Sequence, residues 1–365
     1  MKVMALDIAD RPNHRQSAAG TAEIRKTAIK RKDSVLIVLV ILLVLSILLS
    51  FTVGRYSIPV AQLAEIFYRK LLRLPATWPD TVETVLFHVR IPRILAALMI
   101  GAALAASGAA YQGLFKNPMV SPDILGASAG AGFGAAAAIL LSLGPAGVQI
   151  SSFLSGIGAV ALTYLIGTMV GNRNNTVLVL VLGGMVVSTM FSSFTSITKY
   201  VADTDDKLPA ITFWLMGGLS SAGSRDVLTL LIPLTLGMTP IFLLRWRLNV
   251  LSFGEEEAQA MGIDTKKTRL IMIVCATLLT ASAVSVSGMI GWVGLVIPHI
   301  ARLLAGPNYR TLLPVSILAG GIFLLLVDDV ARCLFSIEIP LGILTSLIGA
   351  PFFIYLLFRG RRAWV

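Results

Sequence analysis

Charge is scarce in this chain. Of 365 residues only 13% are Asp, Glu, Lys or Arg, against about 25% in a soluble globular domain. With 56% apolar side chains and a mean hydropathy of +0.84, that scarcity excludes a soluble enzyme domain, a disordered chain and a collagen-like fibre. Cysteine is nearly missing too. Cys275 and Cys333 sit apart in apolar surroundings, which argues against a disulfide-stapled secreted fold and a thiolate zinc site. The three histidines, His14, His88 and His299, are far apart in sequence. A carrier of bare metal ions would want clustered His, Cys or carboxylate ligands, and none are clustered here. No Gly-Lys dipeptide occurs, so the chain has no G-x-x-x-x-G-K-[ST] phosphate loop. Any nucleotide hydrolysis belongs to another subunit.

What the chain does have is apolar length. A bilayer-spanning helix needs about 20 mostly apolar residues. Charge-free intervals mark ten of them: Ser34 to Gly54, Arg93 to Lys116, two between Asp123 and Arg173 split at Gly144-Pro145, Arg173 to Lys199, Asp226 to Arg245, a full and then a shorter helix between Arg269 and Arg302 broken at Gly288 to Gly291, Arg310 to Asp328, and Glu338 to Arg359. The expected fold is an all-α polytopic membrane protein of about ten transmembrane helices. An even number puts both termini on one side. That side collects twenty of the thirty Lys and Arg residues, which makes it cytoplasmic. In a soluble protein the net charge of +11 would suggest nucleic acid; here the basic residues flank apolar runs, and no nucleic-acid partner is expected.

The domain reading follows. Residues 1–33 form a basic tail, read as disordered and cytoplasmic, with no A-x-A cleavage site after the first apolar run. Residues 34–360 form one membrane domain, and 361–365 a cytoplasmic end. The outer segment 54–91 leads into an exception to the charge rule, with six basic residues from Arg55 to Arg93. Within it Val60, Leu63, Phe67 and Leu71 recur at helical spacing beside Arg69, Lys70 and Arg73, which predicts an outer helix lying in the membrane interface.

The spans are rich in Gly and Ala. Gly101, Ala105 and Gly108 share one helix, and Gly126, Gly130 and Gly134 another, at spacings that let backbones approach closely. Ionisable groups are nearly missing from them. Ion-coupled carriers use intramembrane carboxylates or histidines as relays, and only Asp328 and Asp329 come close, at the outer end of a helix. This speaks against a secondary transporter. Transport would draw its energy from a partner, and a metal would cross inside a chelator. One enzyme alternative is an intramembrane serine hydrolase. Gly126-Ala-Ser128-Ala-Gly130 fits G-x-S-x-G, and His299 and Asp328 exist elsewhere. That motif requires a strand–turn–helix elbow, whereas here it lies in an apolar helix, so no catalytic residue is expected.

Several motifs then occur in order: Arg90-Ile-Pro-Arg93, Gly101-Ala-Ala-Leu104, Ser107-Gly108 to Gln112, Asn117-Pro118-Met119-Val120-Ser121-Pro122-Asp123-Ile124-Leu125-Gly126, Gly291-Trp-Val-Gly294-Leu-Val-Ile-Pro298-His299-Ile-Ala-Arg302, Asp328-Asp-Val-Ala-Arg332, Glu338-Ile-Pro340-Leu-Gly342, and Gly349-Ala-Pro351-Phe-Phe353. Over about residues 35 to 360 the chain resembles the FecCD-type permeases, the membrane subunits of ABC importers for iron-siderophores, haem and cobalamin. The resemblance implies a cobalamin-importer-like fold in the cytoplasmic (inner) membrane. It implies a homodimer, two ATPase subunits inside, and a soluble substrate-binding protein outside. The chain itself would hold no cofactor; ATP and Mg would belong to the ATPase. Iron-siderophore is the expected cargo as the family's commonest, with haem, cobalamin or an oxyanion such as molybdate as alternatives.

The resemblance also implies site residues. Arg90, Arg93 and Arg332 match positions that pair with acidic residues of the binding protein; the competing readings are headgroup anchoring for Arg90 and Arg93 and an i, i+4 pair of Arg332 with Asp328. Between the sixth and seventh spans, in segment 249–268, Gly254, Ala258 and Gly262 match the ATPase-coupling segment. Ser252 is expected to cap its helix, with Glu255, Glu256 and Glu257 in the first turn, Met261 on one face and Gly262 at the end. On the fifth span Met185, Ser188, Thr189, Ser192, Ser193, Thr195 and Ser196 fall where the family lines its translocation pathway; hydroxyls bonding back to their own helix are the alternative. Asn117 and Pro118 read as a structural inner turn, and His299 as a packed residue rather than a ligand.

Overall fold

The structure is a computed structural model that describes residues 34–54, 56, 58–171 and 176–360. The tail 1–33, Arg55, Arg173 and residues 361–365, which enter the charge reading, lie outside the described residues. Every described element is helical. Seven helices are long and apolar enough to cross a bilayer: α1 (Ser34–Thr52), α3 (Asp80–Leu114), α5 (Gly144–Val170), α6 (Thr176–Val201), α8 (Ser224–Leu243), α11 (Thr265–Ser287) and α13 (Tyr309–Cys333). Three shorter apolar helices complete the ten expected spans: α4 (Ala127–Leu140), α12 (Val293–Ala305) and α14 (Leu341–Gly360). Four connecting helices lie between them: α2 (Val60–Leu71), α7 (Lys207–Met216), α9 (Arg245–Leu251) and α10 (Glu255–Ala260).

Burial sorts the spans. The apolar stretches of α3, α11 and α13 are 78%, 72% and 61% buried, while that of α1 is only 17% buried. Lipid tails are as apolar as Leu, so no hydrophobic force drives one spanning helix onto another; small side chains and close van der Waals contact do. At the centre α3 presents Gly101 and Gly108. A methyl added at Gly108 would sit 1.8 Å from the Gly294 carbonyl oxygen, and one at Gly101 would sit 2.2 Å from that of Gly320. In α4 the same holds for Gly134 against the Ser151 carbonyl, at 2.3 Å. Polar bonds reinforce the centre. The Ser107 hydroxyl donates to the Ala276 carbonyl at 3.0 Å and shares a 2.8 Å bond with Thr280, and Tyr111 shares one of 3.1 Å with Thr277.

Three features depart from the sequence reading. First, α3 starts at Asp80 rather than near Arg93, because the helix continues backward through a π-helical turn, Thr84–Arg90. Second, α7 and α9 were not expected. The end of α7 meets the break between α11 and α12, where Gly217 and Gly288 adopt φ of +73° and +66°. The backbone groups freed there are paired across the junction: Gly218 N–H donates to the Ser287 carbonyl at 2.8 Å, and Leu341 N–H to that of Gly217 at 2.9 Å. Such pairing is what permits non-helical backbone at membrane depth. Third, in α2 Leu63 does not belong to an outward stripe. It is buried with Ile66 in a small outer core that includes Ile58, Val82 and Leu86.

The close approach of α3 to α12 yields a test. Gly108→Ala should cost roughly 1–3 kcal/mol, because the added methyl meets rigid backbone rather than a movable side chain. Gly158→Ala on α5, with nothing within 4 Å, should be neutral or slightly stabilising. Thermal unfolding midpoints in detergent measure both; equal midpoints would contradict the packing account.

Candidate functional site

The candidate residues fall at three levels: the outer end, the middle of α6 and the inner loop.

At the outer end Arg90, Arg93 and Arg332 are brought together, but not as exposed charges. They are 3%, 6% and 7% exposed. Arg93 makes two-point contacts with two carboxylates. Its Nε and Nη2 donate to Asp328 at 2.9 Å each, and Nη1 and Nη2 donate to Glu338 at 3.0 and 2.9 Å. Arg332 donates to the Ser50 carbonyl at 2.7 Å and pairs with Asp329, and the Ser50 hydroxyl donates to Asp329 at 2.7 Å. Arg90 donates to the carbonyls of Phe51 and Tyr56. Ser50 and Phe51 lie in the last turn of α1, whose carbonyls have no partner within the helix. Two guanidiniums therefore close the negative end of α1, where cations are favoured. Gly54 fits against both; a methyl there would lie 2.9 Å from Arg90 Nη2 and 3.6 Å from Arg332 Nη1.

The sequence reading paired these arginines with groups outside the chain; the structure buries all three against groups of the chain itself. Among the outer basic residues described, Arg69, Lys70, Arg93 and Arg332 pair with carboxylates of the chain itself. Arg332 pairs with Asp329 at i, i+3 rather than with Asp328 at i, i+4. Glu338, 31% exposed at its side chain, is the carboxylate of this cluster nearest the surface. It borders a cavity of about 320 Å³ lined by Arg93, Trp214 and Ser287 among others.

In the middle, α6 holds its inner face on α4 through Phe191 and Phe194, whose rings lie 5.8 and 5.4 Å from that of Phe133. The opposite face is open. Met185, Thr189, Ser192, Ser193 and Ser196 are exposed on it, whereas Ser188, which lies against Gly126, and Thr195 are half-buried on the same side as Phe191 and are not part of the open face. Several hydroxyls bond back to their own helix: Thr189 to the Met185 carbonyl at 2.9 Å, Ser193 to that of Thr189, Thr195 to that of Phe191 and Ser196 to that of Ser192, each at 3.0 Å. Back-bonding quiets these donors. The open face is thus uncharged and polar, and Thr189, Ser193 and Ser196 on it have their donors already bonded.

At the inner side, α10 is built as a knob. Its helix starts at Gly254, with φ +152°, and not at Ser252, whose hydroxyl instead donates to the Asn249 carbonyl at 2.6 Å. Three glutamates occupy the first turn, where the helix dipole favours them. Glu255 pairs with Arg269 at the start of α11. The end is a Schellman motif: Gly262 N–H donates to the Gln259 carbonyl at 2.9 Å and Ile263 N–H to that of Ala258 at 3.0 Å, with Gly262 at φ +79°. Ala258 and Ile263 are buried beneath, while Glu256, Glu257, Met261 and Gly262 face outward.

One ionisable group escaped the sequence reading. After α3 the chain turns at Asn117, whose side chain accepts from Met119 N–H at 2.9 Å. It then runs back toward the membrane centre as a 3-10 turn, Pro122–Leu125. Pro122 and the Leu104 carbonyl flank the same glycine, Gly294. The turn is therefore level with Leu104, ten residues and roughly 15 Å of helix above the end of α3. Asp123 sits in it and accepts a hydrogen bond from Ser128. The Ser128 hydroxyl is thus bonded to a carboxylate of the neighbouring turn.

These features define a polytopic helical membrane protein whose buried centre is closed by small residues and whose two ends carry the charge. The FecCD transport family model matches residues 42–359. The molybdate import system permease protein of Haemophilus influenzae is 42% identical over 89% of this chain and 95% of its own length. A Helicobacter pylori protein named "Probable iron chelatin transport system permease protein" is 42% identical over 77% of this chain and 85% of its own. A solved structure described as "An inward-facing conformation of a putative metal-chelate type ABC transporter", 40% identical, superposes with a TM-score of 0.80 over 90% of this chain and 99% of that one. The chain belongs to the FecCD transport family, and it is a multi-pass membrane permease of that family.

The outer cluster is testable by itself. Removing one partner of a buried ion pair costs about 3–5 kcal/mol, while an apolar pair of similar volume often costs little. Arg93→Ala is expected to lower stability on that scale, and Arg93→Met with Asp328→Leu to recover most of it. Denaturation in detergent measures the cycle. Singles and double within about 0.5 kcal/mol of the parent would show that the cluster does not hold the outer end.

Proposed function

We propose that this chain is the membrane-spanning subunit of an ATP-driven ABC importer. It works as a homodimer with two ATPase subunits on the cytoplasmic side and a substrate-binding protein outside. The observation that carries the proposal is the inner knob: a short helix, held by Gly254 and the Gly262 end motif, that buries Ala258 and presents Glu256, Glu257 and Met261 outward. A rigid projection of that kind, on the side that collects basic residues, suits a groove on a partner. ATPase closure pushes on it, the two membrane subunits rock, and the open faces of two α6 helices bound the path. The chain performs no chemistry of its own.

The proposed cargo is a chelated iron complex, an iron-siderophore above all. Hydroxyls already bonded to their own helix, together with Met185, make a surface that grips nothing strongly, as a bulky wrapped metal requires. The molybdate importer relative supports a second reading, an oxyanion cargo. Arg90, Arg93 and Arg332 belong in this proposal to the binding-protein end. An acidic group of that protein would there compete with Glu338 and Asp328 for Arg93 and with Asp329 for Arg332.

Met261→Lys tests the coupling. It replaces a residue 59% exposed and leaves the fold untouched. A buried apolar anchor of an interface is typically worth 2 kcal/mol or more, so ATPase affinity and nucleotide-driven uptake should each fall at least about tenfold. Unchanged uptake and ATPase co-purification would overturn the assignment. Competition between an iron-siderophore and molybdate for uptake in the same vesicles separates the two cargo readings.

A further inference from the structure

We propose that α2 is a membrane-surface helix that seats the outer end of the protein in the headgroup–acyl boundary of the outer leaflet. With about 100° of turn per residue, its side chains divide into three sectors. Leu63 and Ile66 face the protein and are buried. Gln62, Glu65 and Arg69 form a polar sector, with Glu65 and Arg69 paired at 2.9 Å. Between them, on the other side, run Val60, Ala61, Ala64, Tyr68, Leu71 and Leu72. All six are exposed, Val60 by 68%, Tyr68 by 62% and Leu71 by 83%.

A soluble surface helix needs two sectors, one to the core and one to water. Three sectors fit a helix that meets protein, water and lipid at once. The lipid assignment follows from continuity. Phe67 packs edge-on against Phe51 of α1 at 5.8 Å, which places α2 beside a helix whose Leu45 and Leu48 are more than half exposed because it faces lipid. Tyr68 has the amphipathic ring favoured at that depth.

The test uses the full chain in lipid nanodiscs with exposed Cys333 changed to Ser. A polarity-sensitive fluorophore is attached at Leu71→Cys or, on the polar sector, at Glu65→Cys. Quenching by a lipid with a nitroxide at its fifth acyl carbon is compared with quenching by iodide. The ratio of lipid to iodide quenching should be at least about threefold higher at position 71 than at 65, as insertion to a depth of about 5–10 Å requires. A ratio at 71 equal to or below that at 65 overturns the proposal, whether water or protein covers the face. Position 71 is too exposed for its substitution to unfold the chain.

Discussion

The structure depends on how closely backbones approach α3. Hydrocarbon offers no water to an unpaired N–H or C=O, so every interruption of a helix must be closed by another part of the chain. Here the interruptions are many. Two of the spans, α4 and α12, are short, and the segments at 122–126 and 288–292 run as turns at membrane depth. They are tolerated because Gly101, Gly108 and their partners Gly294 and Gly320 carry no side chain, so α12, α13 and the 3-10 turn press directly on α3. The backbone of α12 and of α13 is thereby held directly against α3.

The chain concentrates its charge at its ends. At the outer end the arginines and carboxylates neutralise one another and close the last turn of α1. At the inner end they do not: Glu256 and Glu257 stay on the surface of a projection pinned by Gly254 and Gly262. Between the two, Asp123 is bonded to Ser128 and the open face of α6 carries no charge between Met185 and Ser196. In the proposed importer this arrangement, a packed middle with a projecting handle at one end, would transmit a push that a partner generates.

Much of this was legible beforehand, for identifiable reasons. Spans announce themselves because charge cannot enter hydrocarbon, and the breaks at Gly144 and Gly288 because glycine and proline interrupt helical patterns. The stop at Gly262 was readable because a left-handed residue there demands glycine. The arginines were legible as charges but not in their partners: Asp328 and Glu338 lie 235 and 245 residues from Arg93, and no local rule connects them. The depth of Asp123 was hidden because a polar turn reads as a loop, whatever level the chain folds it to. The burial of Leu63 was not readable because spacing alone does not say which of two apolar sectors faces protein.

The central claim is that this chain carries no energy source and moves solute only when a nucleotide-hydrolysing partner works on α10. The direct measurement is solute accumulation by proteoliposomes containing the purified chain alone, or the chain with ATPase, binding protein and ATP. The account predicts accumulation against a gradient in the complete system and none in the chain alone. Uphill accumulation by the chain alone, driven by a proton or sodium gradient, would contradict it.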